Sequence, residues 1–121
     1  MKDNKRLIGL SFAWQGLIEL IKEERNFKIH LAAASIVIIV GMYMRLNYIE
    51  WAVICMAISI VLISEALNSA VERIIDYVKP EIHPLAKSIK DISAAAVLIA
   101  AIFAVLIGLF IFLPKLSILL N

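Results

Sequence analysis

The sequence predicts an all-α integral membrane protein, one amphipathic surface helix followed by three membrane-spanning helices. Three observations lead there. The 121 residues are 63% hydrophobic and 18% charged, against roughly 45–50% and about 25% in soluble domains. Mean hydropathy is +0.95, and a soluble domain this short cannot bury so much apolar surface. Three apolar stretches are long enough to cross a bilayer. The length fits one domain over residues 1–121, and the composition excludes disorder.

The first element covers residues from about 5 to 25. Leu7, Leu10, Trp14, Leu17, Ile18 and Ile21 recur at helical spacing, while Ser11, Gln15, Glu19 and Lys22 fall on another face. With Trp14 and a polar side carrying Lys, this helix reads as lying in the membrane interface. Glu19 and Lys22 interrupt the apolar run too early for a secretory signal peptide.

The first span covers residues 27–44, about 27 Å at 1.5 Å per residue. A short connection follows. Asn47 with Glu50 three residues later resembles a capping box, and Tyr43, Tyr48 and Trp51 suit an aromatic belt. The second span, residues 50–71, continues without a breaker to residue 78, where Pro80 stops it. The third helix starts at Pro84, a favoured first-turn residue, and its span covers residues 91–113. Cys55 and the methionines read as packing residues. Ala94, Ala95, Ala96, Ala100 and Ala101 permit close helix approach or leave room for a lipid chain.

Charge sets the orientation. Lys2, Lys5, Arg6, Lys22, Arg25 and Lys28 precede or open the first span, and Arg73, Lys79, Lys87 and Lys90 lie between the second and third. The opposite side has Arg45 and Lys115. This asymmetry places the N-terminus and the second loop in the cytoplasm, with the protein in the cell membrane. A net charge of +2 is too small to suggest nucleic acid as a partner.

The polar half of the second helix carries the chemistry. Glu65, Asn68, Glu72 and Asp76 are spaced by 3, 4 and 4 residues, which puts them within an arc of roughly 80°. Glu65 adjoins the apolar run, and acids so near lipid are costly and usually functional. Two further polar clusters, Glu23 to Asn26 and Lys87 to Asp91, fall on the same side of the membrane. Carboxylates with Lys suit a hard cation such as Mg²⁺. His30 and His83 are too isolated for a zinc site. There is no Walker-type phosphate loop and no protein-kinase motif set. Side chains and metal bridges would have to hold a nucleotide. An acid at the boundary reaches the hydroxyl of a lipid, and acids nearer the cytoplasm hold Mg²⁺ on a phosphate donor, an arrangement suited to phosphoryl transfer. A small transporter or channel subunit predicts acids deep along a path through the bilayer, and a structural subunit needs no aligned acids.

The stretch from Glu65 to Asp76 resembles the signature of the small prokaryotic diacylglycerol kinase family, E-x-L-N-[ST]-A-[IV]-E-x-x-x-D. The stretch from Lys90 to Val97 resembles its second motif at the expected separation, and the likeness runs from about Lys5 to Gly108. The resemblance implies a homotrimer with sites between subunits, Mg²⁺-ATP as donor and a membrane lipid alcohol as acceptor. It implies that Glu65 is the catalytic base and that Glu24 and Glu72 hold Mg²⁺. Asn68, Glu72, Lys90 and Asp91 match residues around the nucleotide. Glu81 and His83 match loop positions near it, and Lys5 stands where some members have Arg. Trp51 and Ala94 fall near the lipid in relatives. The stretch from Glu24 through Asn26 to His30 resembles the Gram-positive undecaprenol kinase branch, and Asn26 and His30 are assigned to the lipid with it. The Gram-negative branch, which phosphorylates diacylglycerol, tends to carry an acid where this chain has His30.

Overall fold

The computed structural model describes residues 2–121, with side chains from Gly9 onward. The Lys5 side chain therefore lies outside the described residues. Four helices follow in order: α1 (Lys2–Glu23), α2 (Arg25–Tyr43), α3 (Tyr48–Val78) and α4 (Pro84–Leu120). The last three are long and apolar enough to cross a membrane.

The α1–α2 junction is a single residue. Glu24 leaves helical geometry with φ −95° and ψ 109°. Its N–H still donates to Leu20 O at 3.0 Å, and Lys28 N–H donates back to Glu24 O at 3.2 Å. The expected boundary near residue 25 thus becomes a tight corner with a carboxylate on it.

The α2–α3 connection depends on local chemistry. Arg45 takes φ 54°, the left-handed region that reverses the chain. Asn47 accepts from Glu50 N–H at 2.9 Å, and Glu50 accepts from Asn47 N–H at 3.0 Å. This is the capping box anticipated from the 47–50 spacing, and it satisfies two otherwise orphaned backbone donors. Above the turn, α2 and α3 meet at Gly41. A Cβ there would lie 2.8 Å from Trp51 Cη2 and 2.9 Å from Leu46 Cδ1, so any side chain would force Trp51 and Leu46 to shift.

Length decides what projects from the bilayer. At 1.5 Å per residue α3 is about 46 Å long, while the hydrocarbon core is about 30 Å. Part of α3 must therefore stand in water. Its buried positions are Ile54, Ala57, Val61, Glu65, Asn68 and Ser69. They form one stripe, apolar through Val61 and polar from Glu65. The same face of α3 is thus apolar along one part of its length and polar along the next.

His83 caps α4 by accepting from Leu85 N–H at 3.1 Å, and Pro84 occupies the first turn, where its missing N–H costs nothing. The helix does not stop with the apolar run at Leu113. It continues through Pro114 to Leu120, which brings Lys115 to Glu50 at 3.0 Å. Neighbouring polar groups and local adjustment let a membrane helix tolerate such a proline.

α3 and α4 pack together most extensively, α2 packs on α3, and α1 rests on α2. The buried apolar residues are few, namely Phe27, Leu46, Ile54, Ala57, Val61 and Val97, whereas Ile36, Ile39, Leu98, Ile99 and Phe103 are exposed. Apolar surface turned outward on this scale is what lipid solvates. Cys55 is exposed, not packed as the sequence suggested, because it points away from the stripe that faces α4. Ala100 and Ala101 are half-buried, but Ala94, Ala95 and Ala96 are exposed.

Candidate active site

The site lies where the α3 stripe turns polar. Glu65 is 2% exposed and Asn68 5%. From α2, His30 Nε2 faces Glu65 Oε2 at 3.7 Å. One turn on, Asn68 Nδ2 donates to Glu72 Oε1 at 3.4 Å, a weak bond by its length. Asn68 Oδ1 and Ser69 Oγ are buried without a hydrogen-bond partner. Buried polar groups are normally paired, so an unpaired amide oxygen among acids marks a place for a donor or cation. The carboxylates of Glu24 and Glu72 are near enough for their charges to act on Glu65. The corner at Glu24 and the later turns of α3 thus place acids from distant parts of the sequence in the same region, without closing them into one cluster.

Two clefts lie along the same helices, one on either side of this stretch of α3. On the water side, a cleft of about 250 Å³ lies between the end of α3 and the start of α4. Asp76, Glu81, His83, Lys87, Lys90 and Asp91 line it with Lys79. Lys90 Nζ bonds Asp76 across the two helices, and Lys87 pairs with Asp91 at 2.6 Å. Three lysines in one cleft suit phosphate oxygens, for which charge-assisted bonds are the strong ones. On the lipid side, an apolar cleft of about 370 Å³ runs down from His30 between α2, α3 and α4. Its walls include Ala33, Ala57, Val61, Ala101 and Gly108. Glu65 lines neither cleft: it faces His30 at the end of the apolar one, and Asp76, where the lysine cleft begins on α3, is about 16 Å farther along the helix.

The structure does not gather every residue singled out from sequence. Trp51 sits at the far end of α3, against Gly41 and about 21 Å from Glu65 along the helix. Asn26 and Ala94 are exposed and line neither cleft. Glu24 does not cap α2 with its side chain. Instead it accepts from Arg73 Nη2 at 3.0 Å, and Arg73 also reaches Glu23 at 3.2 Å and Glu19 at 3.1 Å. Sequence reading counted Arg73 only as a cytoplasmic cation. It stands immediately after Glu72, and nothing in the helical spacing marks it, because its partners are on α1 and at the corner.

The Glu24 and Glu72 carboxylates and the unpaired Asn68 oxygen are hard oxygen donors of the kind Mg²⁺ takes. Among the described residues, no three His, Cys, Asp or Glu side chains converge as a self-sufficient cage. A cation completed by phosphate oxygens and water fits this donor set, since Mg²⁺ commonly uses one or two carboxylates.

The sequence profile for prokaryotic diacylglycerol kinase matches residues 11–112. The chain belongs to the prokaryotic diacylglycerol kinase family. It is 44% identical over 104 residues to an undecaprenol kinase of Bacillus subtilis, covering 86% of this chain and 85% of that one. It is 39% identical over 111 residues to a diacylglycerol kinase of Synechocystis, covering 91% of this chain and 63% of the relative. A diacylglycerol kinase of Escherichia coli is 32% identical over 95 residues, 78% of each chain. Membership in the diacylglycerol kinase family makes the chain a membrane lipid kinase, with a nucleotide as phosphoryl donor.

Proposed function

We propose that the protein transfers the γ-phosphoryl group of Mg²⁺-ATP to the hydroxyl of a membrane lipid alcohol, undecaprenol in the first place. The observation that carries this reading is Glu65, an acid only 2% exposed that faces His30 at the end of an apolar cleft, on the same helix whose later turns border a cleft with three lysines. A lipid chain in the apolar cleft presents its hydroxyl to Glu65. A nucleotide at the lysine cleft extends its triphosphate along α3, past Glu72 and Asn68, toward Glu65. Glu65 accepts the hydroxyl proton as the lipid oxygen attacks phosphorus, and ADP leaves. Lys90 meets the charge that develops on the phosphate oxygens, where electrostatic stabilisation is usually the largest contribution. Asn68 and Asp91 orient the phosphates, and Glu81 and His83 border the nucleotide. Glu24 and Glu72 would hold Mg²⁺, which neutralises charge on the triphosphate when bound. His30 faces the reacting hydroxyl beside Glu65.

The preference for undecaprenol rests on the 44% identity to the Bacillus undecaprenol kinase and on His30 beside the acid. Diacylglycerol is the second reading, favoured by the names of the Synechocystis and Escherichia relatives. The active assembly is a homotrimer in the cell membrane, with α1 on the cytoplasmic surface. The large exposed apolar faces and the placement of cations support that arrangement. A proton path through the bilayer finds less support, because the run Ile92–Leu113 has no acid.

The test is phosphate transfer from labelled ATP in detergent micelles, with undecaprenol and diacylglycerol compared at equal mole fraction. Turnover of undecaprenol should be the faster and should vanish with EDTA and return with Mg²⁺. Faster turnover of diacylglycerol overturns the substrate assignment, and labelling of neither lipid overturns the reading itself.

A further inference from the structure

We propose that Arg73 is the positioning residue for Glu24, holding that carboxylate across the α1–α2 corner so that it faces Glu72 as a cation ligand. The inference rests on the reading of Glu24 and Glu72 as Mg²⁺-holding acids. Glu24 is not anchored by its own helix, since its side chain makes no capping bond. Its recorded partner is Arg73 Nη2, at 3.0 Å from Oε1. The same guanidinium takes Glu23 and Glu19, one from the last turn of α1 and one a turn earlier. The planar fork of arginine suits such sharing, and a lysine ammonium does not reproduce it.

The rest of the interface explains why a tether is needed. A crevice of about 480 Å³ separates α1 from α3 and is lined by small residues such as Ala13, Gly16, Ala66 and Ala70. Apolar packing at the corner rests on Phe27, which is buried, and the crevice leaves the Glu24 side chain itself without packing from α1 against α3. Lone exposed ion pairs do little, but one guanidinium shared by three carboxylates from two segments is a network. Arg73 follows Glu72 directly, so the two side chains leave α3 about 100° apart. Glu72 turns to Asn68 and Arg73 to the corner. One turn of helix thereby sets both acids. With Oε1 engaged by Arg73, the second oxygen of Glu24 is left for the cation.

Loss of Arg73 has two opposed consequences. It releases Glu24, which weakens cation binding. It also removes positive charge from an acidic site, which strengthens it. Partners that orient metal ligands are commonly worth about 10–100-fold in metal affinity, and Glu24 has no cap bond to hold it, so orientation dominates.

The experiment titrates the full chain in detergent micelles with Mn²⁺ in the presence of a saturating non-hydrolysable ATP analogue, and follows the protein-bound Mn²⁺ by electron paramagnetic resonance. Arg73→Gln should bind Mn²⁺ about 10–100-fold more weakly than the unmodified protein. Arg73→Lys, which keeps the charge and loses the fork, should be weakened similarly. In turnover, the Mg²⁺ activation constant should rise while KM for ATP stays within about threefold. Circular dichroism of both variants checks folding, and the exposed position of Arg73 makes at least the lysine variant a folded protein. Unchanged or tighter Mn²⁺ binding by Arg73→Gln overturns the proposal, as does full retention by Arg73→Lys. If Glu24→Gln binds Mn²⁺ as the unmodified protein does, the assignment of Glu24 as a ligand fails as well. If Glu24→Gln loses Mn²⁺ and Arg73→Gln does not, only the positioning role fails.

Discussion

Replacing Glu65 by Gln removes one function and little else. The amide has nearly the shape of the acid, so the packing around a residue 2% exposed is kept. What is lost is the proton acceptor. General base catalysis contributes about 10²–10⁴-fold, which is about 2.7–5.5 kcal/mol at about 1.36 kcal/mol per tenfold. Burial argues for the upper part of that range, since bulk water has little access to take the proton. The nearest substitute is His30, with Nε2 3.7 Å from Oε2. If His30 rescues part of the rate, the double variant with His30→Gln should fall further. ATP binding should not follow, because Glu65 does not line the lysine cleft. The assay is phosphate transfer to undecaprenol in micelles, with kcat and KM for ATP measured separately. A kcat within about threefold of the unmodified protein, or a change confined to KM for ATP, refutes the base assignment.

Other expectations follow from the same geometry. Lys90→Ala removes a cation from the nucleotide cleft and leaves Asp76 facing it without its partner. A lost bond to a charged group is worth about 1.5–3 kcal/mol, so KM for ATP should rise by about tenfold or more, seen by varying ATP at saturating lipid. Gly41→Ala places a methyl group 2.8 Å from Trp51 Cη2 and should cost about 1–3 kcal/mol by overpacking. Thermal unfolding in micelles reads this, and kcat well below the melting temperature should be unaffected because the site lies at the other end of α3. Asn47→Ala removes half of the capping box and should cost about 1 kcal/mol in the same unfolding measurement.

Local signals in this chain were legible and non-local ones were not. The aligned acids of α3 follow from a 3.6-residue period acting on four positions, and the Asn47–Glu50 cap follows from a three-residue spacing. Both need only contacts within a turn or so of helix. The boundary near Glu24 was legible to within a residue or two; that it is a one-residue corner was not, because Glu23 to Asn26 has no Gly or Pro to mark so sharp a bend. The end of α4 was not legible because the apolar run marks the span to Leu113, whereas the helix continues through Pro114 to Leu120. Trp51 and Ala94 were placed near the lipid by likeness to relatives, and in this chain neither lines the two clefts. The role of Arg73 depends on three acids 49 to 54 residues away, a distance no periodicity spans.

The sequence by itself determined where the protein resides and which residue types serve it. Composition and the length of apolar runs follow from the cost of putting polar backbone and charge in lipid, and that cost applies to each helix separately. Tertiary structure decided how acids from the corner and from α3 come into the same region, why Glu65 is buried, and where the two clefts open. Those outcomes depend on how α2, α3 and α4 cross and on a one-residue bend at Glu24. Several crossings would satisfy the same hydrophobic pattern, and side-chain fit at places such as Gly41 and Arg73 selects among them.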